Sequence, residues 1–69
     1  MLGIDNLRKG YVYQITNHGE QIEFEVIEFV DEDYLVQNKT TLETFNLKEL
    51  TKYGLGKDYE LIDLEEYEK

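Results

Sequence analysis

The stretch GYVYQITNHGEQIEFEV, residues 10–26, most constrains the fold, because large apolar residues recur at every second position on both sides of His18-Gly19. A two-residue loop at His18-Gly19 fixes a hairpin register, since Gly supplies the positive φ that such loops need. The pairs on one face are then Ile15–Ile22, Tyr13–Phe24 and Tyr11–Val26, and those on the other are Thr16–Gln21, Gln14–Glu23 and Val12–Glu25. A slip of one residue would bury the polar set, so the sequence predicts a hairpin in which Asn17 faces Glu20.

The alternation breaks at Val26-Ile27. Ile27 and Phe29 take the opposite phase, and Glu28 stands where an apolar residue was due. A β-bulge or sharp bend explains this change, and it lets one long strand serve two sheets, as in small barrels. Gly10 is expected opposite Ile27, where a missing side chain would help the bend.

The segment 34–45 predicts two short strands, Tyr34–Asn38 and Thr41–Phe45, with a turn near Lys39-Thr40. Their register stays open. The charged end, residues 65–69, is expected to fray.

A short helix is predicted within FNLKELTKYG, residues 45–54. Asn46 is its expected N-cap and Glu49 the capping-box partner, while Phe45 staples onto Leu50. Gly54 is the expected C-terminal stop. A fifth strand, Asp58–Leu64, follows this helix.

This order of elements resembles that of the SH3-like small barrels, over residues 10–64. The length of 69 residues predicts one small domain, residues 1–69. The resemblance implies a mainly β fold: one five-stranded antiparallel SH3-like barrel with a short α or 3₁₀ helix before the last strand. It also implies a binding module whose ligands meet the loops at one end of the barrel. The long first loop and the Trp of true SH3 domains are missing, so recognition of proline-rich peptides is not expected.

Composition limits the classes of function. Sixteen acidic residues against seven basic ones give a net charge of −9, which opposes direct binding to nucleic acid or to anionic membranes. The chain has no Cys, so disulfides and Cys-based zinc sites are excluded. The start MLGIDNLRKG is too short and polar for a signal peptide, and we expect a cytoplasmic monomer.

Three stretches could suggest chemistry, and each has a simpler structural interpretation. Asp31-Glu32-Asp33 lacks the alternate ligands, Gly and distal Glu that a Ca²⁺ loop spreads over about twelve residues, so we interpret it as a turn. His18 has no metal-ligating or catalytic companions and is expected as an exposed turn residue. GLGK, residues 54–57, departs from the Walker spacing. We therefore predict no catalytic, cofactor or metal site and no enzymatic activity.

The functional hypothesis is an acidic interaction module that contacts a basic or mixed protein surface. Its candidate surface is the barrel end that carries Asp31, Glu32, Asp33, Tyr34 and Tyr53. A cage for methylated lysine would need two or more facing rings, and barrel-end packing is the simpler role for the tyrosines.

The alternative function is mimicry of nucleic acid by acidic residues, which would inhibit a DNA- or RNA-binding protein. It relies on Glu20, Glu23 and Glu25, on or beside the solvent face of the first hairpin.

Overall fold

The computed structural model of the protein describes residues 7–64. The predicted fraying tail at 65–69 lies outside the described residues. The elements in chain order are β1 (Val12–Asn17), β2 (Glu20–Val30), β3 (Asp33–Asn38), β4 (Thr44–Asn46), α1 (Lys48–Thr51) and β5 (Glu60–Asp63).

The five strands form one antiparallel sheet in the order β4-β3-β2-β1-β5. The mainly β class, with one short helix before the last strand, is confirmed. The sheet is not closed within the described residues, since β4 and β5 are its two edges. The first four strands form a meander, and β5 returns to pair with β1.

The β1–β2 register is the predicted one, from Val12↔Glu25 to Asn17↔Glu20. The loop has φ of 50° at His18 and 80° at Gly19. Positive φ at both central residues is the type I′ geometry, whose twist matches that of the flanking strands.

A β-bulge interrupts β2 as predicted, because the pairing with β3 shifts between Val26 and Glu28. A second irregularity precedes β1. The Gly10 N–H donates to the Val26 carbonyl at 2.8 Å, and the Val26 N–H donates to the Tyr11 carbonyl at 3.0 Å. Gly10 has φ of 84° and a Cβ there would meet nothing within 4 Å. The expected pairing with Ile27 was therefore not found, and glycine is needed for its backbone angle rather than for space.

The connection between β3 and β4 differs from prediction. The fourth strand covers Thr44–Asn46 rather than 41–45, and Val36 pairs with Phe45. Asn38 organises the longer loop, because its Oδ1 accepts from the N–H groups of Thr40 (2.8 Å) and Thr41 (3.1 Å). The Asn38 side chain thus satisfies the N–H groups of Thr40 and Thr41, which supports a longer loop in place of the tight turn predicted at Lys39-Thr40.

The start of α1 also differs from prediction. Asn46 is exposed and is the last residue of β4. The N-cap residue is Leu47, whose side chain makes no capping hydrogen bond. The Lys48 N–H instead bonds to Asp33 Oδ1 at 3.3 Å, so a residue from another strand takes the capping role assigned to Asn46. Gly54 does end the segment, with φ of 87° and its N–H bonded to the Thr51 carbonyl at 2.9 Å.

The core lies on the inner face of the sheet and beneath α1. Tyr13 and Phe24 lie side by side there, with ring centroids 5.9 Å apart. Leu50, from α1, is half-buried and packs against this cluster. The buried apolar side chains of the described residues are Leu7, Tyr13, Ile15, Phe24, Val26, Val36, Leu47 and Leu61.

Candidate interaction surface

The acidic triplet forms the β2–β3 turn, as predicted. Val30 pairs with Asp33, which leaves Asp31 and Glu32 as a two-residue loop with φ of 53° and 61°. Both residues are exposed. A left-handed conformation is unfavourable for a long side chain such as Glu, so this turn is strained relative to one with glycine.

Asp33 links this turn to α1. Its Oδ1 accepts from the Tyr34 N–H at 2.8 Å and from the Lys48 N–H at 3.3 Å. The carboxylate therefore fixes the helix start beside the turn, and a negative charge at the first amides of a helix is favourable.

Tyr34 and Phe29 continue the inner face of the sheet beyond the core. They are cross-strand partners, and their ring centroids are 4.8 Å apart. Tyr34 is half-buried, and its hydroxyl accepts from the Leu7 N–H at 3.2 Å. Phe29 is 58% exposed, so much of its apolar ring is accessible to a ligand.

These residues form one wall of a cleft that we call the turn cleft, with a volume of about 390 Å³. It is lined by Phe29, Glu32, Asp33, Tyr34, Leu47, Lys48 and Thr51. Buried Leu47 and the two rings give it apolar surface, while the carboxylates of Glu32 and Asp33 lie at the turn. Such a site suits a side chain with an apolar stem and a cationic head.

Tyr53 does not line the turn cleft. It lies beside a second cleft of about 360 Å³, the helix-end cleft, lined by Ile15, Asn17, His18, Glu20, Ile22, Glu49, Leu50 and Tyr53. Tyr53 is 84% exposed, and Lys52 Nζ lies 5.3 Å from its ring centroid. The structure thus brings Asp31, Glu32, Asp33 and Tyr34 together and puts Tyr53 in a separate cleft.

A polar network that the sequence did not reveal joins the first turn to residues 50–58. Asn17 is 8% exposed. Its Oδ1 accepts from the Gly56 N–H at 2.7 Å, and its Nδ2 donates to the carbonyls of Gly54 (3.3 Å) and Leu50 (3.4 Å). Asn17 continues the inward positions of Tyr13 and Ile15, and that alternation was the signal that could have identified it.

Asp58 completes this network from the solvent side. Its carboxylate accepts from the backbone N–H groups of His18 (2.9 Å) and Gly19 (2.7 Å). These bonds, the Gly19 bond foremost, hold the pKa of Asp58 below its ordinary value of 3.8. His18 is exposed, as predicted, and its Nε2 lies 2.9 Å from the Gly54 carbonyl. The polar groups of the helix-end cleft therefore have a structural role: they join the first turn to residues 50–58.

Sequence reasoning missed four residues of the turn cleft, namely Phe29, Leu47, Lys48 and Thr51, and Phe29 is the one that the turn geometry could have identified. The two-residue turn at Asp31-Glu32 places it opposite Tyr34, so the register would have identified the pair. Its exposure could not be predicted, since that depends on where the core ends.

Residues 7–64 include no cluster of three or more His, Asp or Glu side chains placed to hold a metal ion. No helix in this part of the chain is long and apolar enough to span a membrane. No protein-family model matches the sequence, and neither a curated protein nor a solved structure shows significant similarity to the chain.

Proposed function

We propose that this protein is a non-catalytic SH3-like interaction module whose turn cleft binds a basic segment of a partner protein. The observation that carries the proposal is the exposed ring of Phe29 in the same cleft as the carboxylates of Glu32 and Asp33. The strand order, the bulge in β2 and the helix before β5 support the SH3-like assignment. We also propose that the protein is a monomer in the cytoplasm, and the lack of Cys is consistent with that compartment.

The turn cleft favours Lys or Arg, because its two carboxylates, Glu32 and Asp33, outnumber its one cationic side chain, Lys48. Their aliphatic stems can cover the Phe29 ring while the cationic head meets the turn carboxylates. An exposed ion pair contributes about 0.2–1 kcal/mol and an exposed cation–π contact about 0.5–1 kcal/mol. Each contact is weak, so we expect transient binding that the net charge of −9 accelerates and that salt weakens.

Two buried or bonded groups that could suggest catalysis have structural explanations. Burial raises the pKa of Tyr13, whose hydroxyl accepts from the Arg8 N–H at 2.8 Å. Asp58 is occupied by the backbone of the first turn. Mimicry of nucleic acid has less support than peptide binding, because Lys39 Nζ lies 3.2 Å from Glu25 and offsets one of its carboxylates.

The test is NMR titration of the full chain with a short peptide of alternating Lys and Val. We expect saturable shifts in residues 28–34 and 47–51. Glu32→Lys should abolish them, whereas Glu23→Lys, the same charge change on the exposed outer face of the first hairpin, should leave them. Equal losses in the two variants would mean that only net charge matters, and the proposal would be wrong.

A further inference from the structure

Strand β2 extends beyond its neighbour β1. The β1–β2 ladder ends at Val12↔Glu25, and the Gly10 and Tyr11 backbones bond to Val26. On its other side β2 stays paired with β3 as far as Val30. Residues 27–30 therefore have a strand neighbour on one side only within the described part of the chain.

The backbone of Phe29 points toward this open side. Val30 and Asp33 close a two-residue loop, so they form the hydrogen-bonded pair, and the next pair, Phe29↔Tyr34, does not exchange backbone bonds. The Tyr34 carbonyl accordingly accepts from the Leu47 N–H at 2.9 Å, on the side of β3 away from β2. By the same alternation, the N–H and C=O of Phe29 face away from β3. No hydrogen bond from residues 7–64 reaches them on that side.

We propose that the partner binds as an added antiparallel β-strand along residues 27–30, in which one partner residue bonds to both the N–H and the C=O of Phe29. This inference rests on the proposed function and specifies its binding mode. An added strand satisfies an exposed edge, and side chains on alternate positions give specificity. The residue directly opposite Phe29 lies on the same face as its ring, beside the turn cleft.

Charge identifies the occupant as a basic extended segment of another protein. Glu28, Asp31 and Glu32 are all exposed around this edge. A Lys or Arg opposite Phe29 lies against the ring, and its head reaches the turn carboxylates. A second copy of this chain could present the same edge, but two chains of net charge −9 repel each other.

Methylated peptides test the backbone contact without changing charge. The probe contains equal numbers of alternating Lys and Val, and two derivatives carry N-methyl groups on all Lys or on all Val amides. Because Lys is opposite Phe29, methylation at Lys removes the bond to the Phe29 carbonyl, while Val amides face solvent. We expect the Lys-methylated peptide to bind about tenfold more weakly than the Val-methylated one. At equal peptide concentration, hydrogen exchange of the Phe29 amide should slow less with the Lys-methylated peptide than with the other two, because less of that peptide is bound.

Two variants test the same contact from the protein side. Phe29→Ala removes the ring and keeps the N–H, while Phe29→Pro removes both. Because the Phe29 N–H does not donate to β3, proline is compatible with this edge position. We expect Phe29→Pro to bind several-fold more weakly than Phe29→Ala, with both folded by circular dichroism.

The outcomes separate the two proposals. If the two methylated peptides bind equally, or differ in the opposite direction, antiparallel strand addition with a basic residue opposite Phe29 is wrong. That result leaves the proposed function standing if Glu32→Lys still abolishes binding of the unmethylated peptide. If the unmethylated peptide gives no saturable shifts, both proposals fail. The peptide comparison decides the matter even if Phe29→Pro does not fold.

Discussion

Asn17→Ala should be among the most destabilising polar substitutions in this protein. The side chain is buried and makes one short and two longer hydrogen bonds to backbone groups of residues 50–56. A net contribution of about 0.5–1.5 kcal/mol per bond, with the long bonds at the low end, gives a loss of about 2–3 kcal/mol. A domain of this size is stable by roughly 3.5–10 kcal/mol, so the loss is a large fraction of the total.

Urea denaturation followed by circular dichroism measures this loss as a lower midpoint at unchanged slope. Asn17→Asp is the informative companion. It keeps an oxygen to accept from Gly56, but at pH 7 it turns a second oxygen toward the carbonyls of Gly54 and Leu50. Asn17→Asp should therefore be at least as destabilising as Asn17→Ala at pH 7. Its deficit relative to the native protein should shrink in acid, when the protonated carboxyl can donate.

The reasoning would be refuted by a loss below about 0.5 kcal/mol for Asn17→Ala, the range of ordinary surface substitutions. It would also be refuted if Asn17→Asp were milder than Asn17→Ala at neutral pH. Either result would mean that water replaces the side chain at the junction without penalty.

Further outcomes follow from the core, the turn, the helix start and the acid-sensitive junction. Phe24→Ala should destabilise by about 3–5 kcal/mol in urea denaturation, because the ring is fully buried. Glu32→Gly should stabilise by about 1 kcal/mol, because it relieves a left-handed Glu; a lower thermal midpoint would contradict this. Asp33→Ala should lower the free energy of unfolding by about 1 kcal/mol, and Asn46→Ala should lower it by less than about 0.5 kcal/mol. If Asn46 were the helix cap, the order of these two losses would be reversed. The pKa of Asp58 is lowered in the folded state, so its carboxylate stabilises the fold above pH 3.8, and this stabilisation is lost as pH falls through the folded-state pKa. In Asp58→Asn, the free energy of unfolding should therefore depend less on pH in that range.

The parts of the fold that could be predicted are those in which local signals agree. The β1–β2 register followed from the alternation and the His18-Gly19 loop, which specify the same pairing. The bulge near Ile27 followed from a change of phase within one strand.

The parts that could not be predicted depend on contacts between distant segments. The amide of Lys48 meets the carboxylate of Asp33, fifteen positions away, so a cap search near Asn46 could not find it. The same reason explains why Tyr53 lies in a different cleft from the acidic turn. The sequence places Tyr53 just after the helix, but the packing of α1 on the sheet determines which cleft its ring lines.

The return of β5 to β1 has a consequence for the order of events during folding. Strands β1 to β4 are joined by short links and can pair as they collapse, whereas pairing of Thr16 with Glu60 must close a much longer loop of chain. Loop closure carries an entropic penalty before any contact compensates it, so we expect the meander to form in the transition state and β5 to add late. Weakening the β5 side, including the Asn17 and Asp58 bonds, should then mainly accelerate unfolding and leave the folding rate almost unchanged. The pairing of β5 with β1 therefore determines the lifetime of the native state.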